Sequence, residues 1–168
     1  TGQLPHPNNA DPSNLFQAIG NRARGLISAL DVIVWAVDPE DNSLQSLADY
    51  LTGYATDFFS HTKTACRFKV PVSCPVITLE GRVRHDLLMA TKEALNNVVR
   101  HANASEVEFR LGVAGGSLEI DIADNGKGIE PAPASGGHGL KNLSARLTKM
   151  GGNCSVSARP GGGTIVEI

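Results

Sequence analysis

Apolar residues along the first third of the chain recur in alternating steps of three and four: Phe16, Ile19, Ala23, Leu26, Leu30, Ile33 and Val37. That is a heptad seam, and a stripe this narrow ordinarily meets another helix. Ser13 suits the N-cap and Asp38-Pro39 the stop, so we expect a helix over residues 13–38 behind a disordered leader, residues 1–12. A second helix is expected from Ser43, with Leu44, Leu47, Leu51, Ala55 and Phe58 on one face. "CRFKV" reads as a short strand, and the run containing Pro71 and Pro75 as a connection. A long helix should follow from about Arg82 to Ala102, burying Leu87, Ala94, Leu95, Val98 and Ala102. "EVEFRLGV" and "LEIDIA" alternate apolar and polar residues around "AGGS", the pattern of a β-hairpin. "LKNLSARLTKM" predicts a helix stopped by Gly151-Gly152. "CSVSARPGGGTIVEI" predicts a second hairpin turning at its glycines. Helices and strands that do not alternate strictly predict an α+β fold and exclude a doubly wound one. The expected form is a two-layer α/β sandwich, with helices on one face of a mixed sheet and a long helix before it.

Composition narrows the picture little. The chain has 168 residues, 41% of them apolar and 19% charged, enough for one hydrophobic core. A net charge of −2 gives no basic field, so direct nucleic-acid binding is not expected. The longest apolar run, "VIVWAV", is too short to span a bilayer, and the polar start does not read as a signal peptide. Three scattered cysteines, Cys66, Cys74 and Cys154, suit a reducing compartment, so a cytoplasmic domain is expected. A featureless start and an end inside "TIVEI" lead us to expect a piece of something larger.

The candidate chemistry lies in the second half. On the long helix, Glu93, Asn97, Arg100 and His101 stand at i, i+4, i+7 and i+8, on the side away from its apolar stripe. A carboxylate, an amide, a cation and an imidazole form the inventory of a metal-phosphate site. Asparagine offers a neutral hard oxygen to Mg²⁺, arginine neutralises phosphate, and glutamate can orient or deprotonate a nucleophile. Solvated helix faces often carry the same residues. Asp124 ends a strand and opens "DNGKG", where its carboxylate can accept from an exocyclic amine; Asp-Asn-Gly is equally a common turn. Gly126 and Gly128 let the backbone pass close to a planar ring or adopt positive φ. "GGHGL" leads into a helix whose N-terminus would offer unpaired N–H groups to an anion. The small, polar "IEPAPAS" before it reads as a lid. "PGGGT" sets Thr164 at the start of the last strand.

In this order the motifs resemble the ATP-binding catalytic domain of bacterial sensor histidine kinases, within the GHKL ATPase superfamily of Bergerat-type fold. "KEALNNVVRHANASEV" is similar to the N box, and "DNGKG", "GGHGLKNL" and "PGGGTIV" to the three glycine boxes. Together they run from Arg82 to Ile168, and the form of the N box resembles the NarL/DesK-like branch. The resemblance implies an ATP-binding domain over residues 43–168 that uses ATP and Mg²⁺. Glu93 would be its catalytic glutamate and Asn97 its Mg²⁺ ligand. Arg100 and His101 would contact phosphates or nucleoside, and Asp124 would read the adenine amino group. Gly126 and Gly128 would shape the adenine pocket, Gly137, Gly139 and Leu140 the phosphate side, and Thr164 the adenine edge.

The implied activity is transfer of the ATP γ-phosphate to a histidine on a dimerisation helix, then to a response regulator with a DNA-binding output domain. A homodimeric parent protein, which can be membrane-anchored, goes with that branch. The sequence departs from a complete kinase in lacking a presented phosphoacceptor. "RHD" at Arg84–Asp86 mimics one but lies on the N-box helix, while His6 and His61 have the wrong context. Residues 13–38 fit the second helix of a dimerisation hairpin whose first helix is missing, so the fragment should bind ATP without phosphorylating itself. An anti-sigma-factor type serine kinase and an ATP-gated clamp are the competing readings.

Overall fold

The computed structural model describes residues 42–128, 144–145, 147–149 and 151–168. The leader, the heptad helix and the glycine-rich segment with Gly137, Gly139 and Leu140 lie outside the described residues. Helix α1 (Leu44–Ser60) starts where the sequence places it: the Ser43 hydroxyl accepts the Ser46 N–H at 3.1 Å. Its buried stripe is Leu44, Leu47, Ala48, Leu51, Ala55 and Phe59. Phe59, not Phe58, completes it. The step of four from Ala55 keeps Phe59 on the core face, while Phe58 turns aside to stack on Tyr54, ring centroids 5.8 Å apart.

Strand β1 (Ala65–Lys69) is followed by helix α2 (Gly81–Asn97). All five apolar residues predicted to be buried on this helix and its continuation are buried. The helix does not run uniformly to Ala102, however: Val98–Ala102 form a π turn, closed by Asn103 in the left-handed region at φ 50°. A π turn is wider than an α turn, so Arg100 and His101 depart from the positions α-helical periodicity gives them. Both are exposed, whereas Glu93 and Asn97 are half-buried.

Strands β2 (Glu106–Ala114) and β3 (Ser117–Asp124) form the expected hairpin. Its two-residue turn, Gly115-Gly116, has φ of 60° and 84°, both positive as a twist-matched hairpin turn requires. Strands β4 (Ser155–Ala158) and β5 (Thr164–Glu167) form the second. Before them, residues 147–149 are helical, and Gly151 at φ 81° ends that turn. Gly151 N–H bonds to Thr148 C=O and Gly152 N–H to Leu147 C=O, the paired bonds of a Schellman cap.

The five strands run β1-β2-β3-β5-β4, parallel between β1 and β2 and antiparallel elsewhere. Helix α1 packs on α2 and β1, and α2 on β3. Alternation sorts the sheet into two faces. Val107, Phe109, Leu111, Ile120, Ile122 and Val166 are buried with the helices in a single core. Each such side chain contributes roughly 1.5–3 kcal/mol by leaving water. The other face is charged. Arg67 pairs with Glu106 at 2.8 Å, Lys69 with Glu108 at 2.9 Å, and Arg110 with Glu108 at 2.9 Å and Asp121 at 3.5 Å. The expected α+β sandwich is therefore the observed one. Among the described residues no helix is long and apolar enough to cross a membrane.

Candidate nucleotide site

The inward positions of β3 are Ile120, Ile122 and then Asp124. The third breaks the pattern: a carboxylate occupies a core-facing position and is only 3% exposed. Burying a charge there is costly unless hydrogen bonds hold it. One does, from the Gly126 N–H to Asp124 Oδ1 at 2.8 Å.

Two separate stretches of sequence converge on this residue. The end of the π turn comes first. A Cβ on Gly126 would collide with the Ala102 carbonyl, and Lys127 N–H donates to that same carbonyl at 2.9 Å. Gly126 is thus required by close backbone approach, where the sequence left open whether a bound ring or positive φ explained it. The "PGGG" turn comes second. Gly163, at φ 102°, lies so near the Asp124 carbonyl that a Cβ would overlap it, and Gly128, at φ 77°, faces the Gly163 carbonyl at 3.1 Å from its own Cβ position. The β3–β5 register, which pairs Ala123 with Ile165, then carries Thr164 alongside the Asp124 end of the ladder.

On α2, the two neighbouring asparagines are used differently. Asn96 Nδ2 donates to the Lys92 carbonyl at 3.0 Å, a bond spent on its own helix. The Asn97 and Glu93 side chains make no hydrogen bond or ion pair among the described residues. They are one α-helical turn apart, so they share a face. Arg84 and Asp86 are buried, and His85 Nδ1 lies 3.2 Å from Asp86 Oδ1. The "RHD" stretch thus belongs to the interior of α2, as its place on the N-box helix implies.

Two residues that the sequence reading did not single out hold this junction together. Asn125 Oδ1 accepts the N–H groups of Ser105 and Glu106, each at 3.0 Å, and its Nδ2 donates to Ser105 Oγ at 3.0 Å. Arg159 Nη1 donates to the Asp124 carbonyl at 3.1 Å. The turn-forming habit of asparagine hinted at the first; nothing local pointed to the second.

A two-layer sandwich whose glycine turns press around a buried strand-end carboxylate defines a class of nucleotide-binding ATPase domain. Residues 83–168, just over half of the chain, match the histidine kinase-, DNA gyrase B- and HSP90-like ATPases, and the chain belongs to that family. Membership implies ATP binding. The chain is 34% identical over 108 residues to the nitrate/nitrite sensor protein NarQ of Escherichia coli, a match covering 63% of this chain and 19% of NarQ. It is 36% identical over 88 residues to the sensor histidine kinase LiaS of Bacillus subtilis, covering 51% of this chain and 24% of LiaS. The matched region is therefore at most about a quarter of either relative's length. In fold, it is similar to the histidine kinase domain of a blue-light activated histidine kinase from Erythrobacter litoralis. That match has a TM-score of 0.64 at 18% identity, covering 96% of this chain and 84% of the other. The ATP-binding domain of PrrB from Mycobacterium tuberculosis gives 0.54 at 22% identity, covering 74% and 90%. The domain is thus homologous to the catalytic domains of sensor histidine kinases, and NarQ fits the NarL-type branch.

Proposed function

We propose that this chain is the catalytic part of a two-component sensor histidine kinase, moving the ATP γ-phosphate to a histidine on a dimerisation helix. The observation that carries the reading is the buried Asp124 carboxylate, walled by Gly126 and Gly163, in a chain of this ATPase family. A carboxylate there accepts from the adenine amino group and repels the carbonyl that guanine presents instead. Gly126 and Gly128 shape the adenine pocket, and Thr164 lines its edge.

Asn97 and Glu93, side by side and uncommitted among the described residues, supply the reacting end. Among the described residues no cluster of three or more His, Cys, Asp or Glu could hold a metal ion. The donor set therefore fits a Mg²⁺ carried mainly by the phosphates, with the Asn97 amide oxygen adding one ligand. When bound, that ion would offset the negative charge of the phosphates. Glu93 orients the attacking imidazole and takes its proton, while Arg100 and His101, exposed at the π turn, meet the phosphates or nucleoside. Gly137, Gly139 and Leu140 are assigned to the phosphate side. Positioning and charge stabilisation then do most of the catalysis.

In this reading residues 1–12 are a leader, residues 13–38 are the second helix of a dimerisation hairpin, and residues 43–168 are the ATPase. The acceptor histidine comes from elsewhere in a homodimeric parent. That parent is cytoplasmic or membrane-anchored with this domain in the cytoplasm, and it passes the phosphoryl group to a response regulator with a DNA-binding output domain. Supplying the chain with a phosphoacceptor hairpin and labelled Mg-ATP tests it. Acid-labile, base-stable label on the hairpin is expected, and it should be lost in Asn97→Ala. Transfer to serine would favour the serine-kinase alternative, and undiminished transfer by Asn97→Ala would remove Asn97 from the site.

A further inference from the structure

Asp124 is the last residue of β3, so nothing in the ladder beyond it fixes the direction of its carboxylate. That direction is held by the Gly126 N–H bond to Oδ1 at 2.8 Å, and the peptide joining Asp124 to Asn125, which carries the chain to that N–H, is held at both ends. Its carbonyl, belonging to Asp124, accepts from Arg159 Nη1 at 3.1 Å. Its N–H, belonging to Asn125, donates to the Glu106 carbonyl at 3.2 Å. The Asn125 side chain doubles the second hold, taking the N–H groups of Ser105 and Glu106 and giving one bond to Ser105 Oγ. Arg159 is itself anchored in the "PGGG" turn: its N–H bonds to the Gly163 carbonyl, and its carbonyl accepts from Gly162 N–H, each at 3.0 Å.

We propose that Arg159 and Asn125 are positioning residues that clamp the Asp124–Asn125 peptide from opposite sides and thereby set the base selectivity of the nucleotide site without touching the nucleotide. The proposal rests on the reading of Asp124 as the group that meets the adenine amine. A carboxylate discriminates an amine from a carbonyl only while it points at the exocyclic position. Losing Arg159 leaves the carbonyl end of the peptide without its donor, and losing the Asn125 side chain leaves the N–H end on its single bond to Glu106, so the preference should fall before overall folding does. Arg159 also makes the third glycine box a part of adenine recognition through its backbone hold, not only through Thr164.

The test compares dissociation constants of Mg-ATP and Mg-GTP for the chain, alongside the Gly126 amide resonance without nucleotide. That resonance reports the 2.8 Å bond to Asp124 Oδ1. Wild type should prefer ATP. Arg159→Met and Asn125→Ala should each cut the preference about tenfold, the scale of one lost hydrogen bond to a charged or multiply bonded group, and shift the Gly126 resonance. Arg159→Lys and Asn125→Asp, which keep a donor and the acceptor oxygens respectively, should recover most of both. Unchanged preference in Arg159→Met and Asn125→Ala, with preference lost in Asp124→Asn, would overturn the clamp and leave the Asp124 reading standing. Unchanged preference in Asp124→Asn would overturn that reading, and the clamp with it. Should a variant not fold, the wild-type chain still decides. Its Asn125 and Gly126 amides should exchange slowly with deuterium before nucleotide is added, and exchange at the rate of an open loop would overturn the proposal.

Discussion

The two hairpins of the sheet both turn on glycines with positive φ, yet those glycines answer to different demands. In the β2–β3 turn, Gly115 and Gly116 have open space where a Cβ would stand. Only backbone conformation asks for glycine there. In the β4–β5 turn, Gly163 has no such space, because the Asp124 carbonyl occupies it, and Arg159 and Gly128 press on the same point. The first turn merely reverses the chain. The second packs against the Asp124 end of β3, where Gly163 lets one backbone lie directly against another.

That contrast can be broken by substitution. The largest effect is expected at the packed positions. Gly163→Ala combines an overlap with backbone and a strained φ, and Gly126→Ala forces the Ala102 carbonyl away. Each should cost at least about 2–3 kcal/mol in urea unfolding and weaken ATP binding with it. A stability loss under about 1 kcal/mol would mean that the two backbones part readily. Gly116→Ala, in open space, should cost only the price of its φ, about 1 kcal/mol, with ATP affinity unchanged. Gly115→Asn should be within about 0.5 kcal/mol of wild type, since asparagine tolerates a φ near 60°. A large loss of nucleotide binding from either first-turn variant would erase the distinction.

The smallest effects are expected on the outer, charged face, where exposed pairs are worth about 0.2–1 kcal/mol. There pH gives the sign. Lys69 and Arg110, hydrogen-bonded to Glu108, hold its carboxyl below the usual range. Its contribution is present above the unfolded pKa and is lost as pH falls through the lowered folded value. Asp121 is pushed the other way, first by burial and further by Glu167, Glu119 and Glu108, against the pull of Arg110. A raised carboxyl favours the folded state below its unfolded pKa and loses that advantage as pH rises through the folded value. Glu108→Gln should therefore lower the thermal midpoint at pH 7 and match wild type in strong acid. Asp121→Asn should raise the midpoint slightly at pH 7, with the gain fading on acidification. The reverse order at pH 7 would contradict the account of this face.

Much of this architecture was legible because its signals are local. Alternation in "EVEFRLGV" and "LEIDIA" gives the strands and their faces, and it sets Asp124 in register with Ile120 and Ile122. The spacing of Leu87, Ala94, Leu95, Val98 and Ala102 survives into the structure even though the last turn is a π turn. That turn was not legible, because "VVRHA" carries no residue that distinguishes a wide turn from an ordinary one. The position of Phe59 was a matter of one residue in an aromatic pair that either phase could accommodate. Arg159 and the reason for Gly126 were hidden for a different cause. Both depend on contacts between segments more than twenty residues apart in the chain, Arg159 with Asp124 and Gly126 with Ala102. No pattern within either segment encodes them.

The central claim is that Asp124 forms the adenine-reading end of an ATP site, and calorimetric titration of Mg-ATP into the chain, with Asp124→Asn alongside, tests it most directly. The account predicts saturable binding by the wild type and a loss of at least about tenfold in affinity for the variant, from one charge-assisted hydrogen bond removed in a buried place. Equal affinity of the two proteins for Mg-ATP would contradict it.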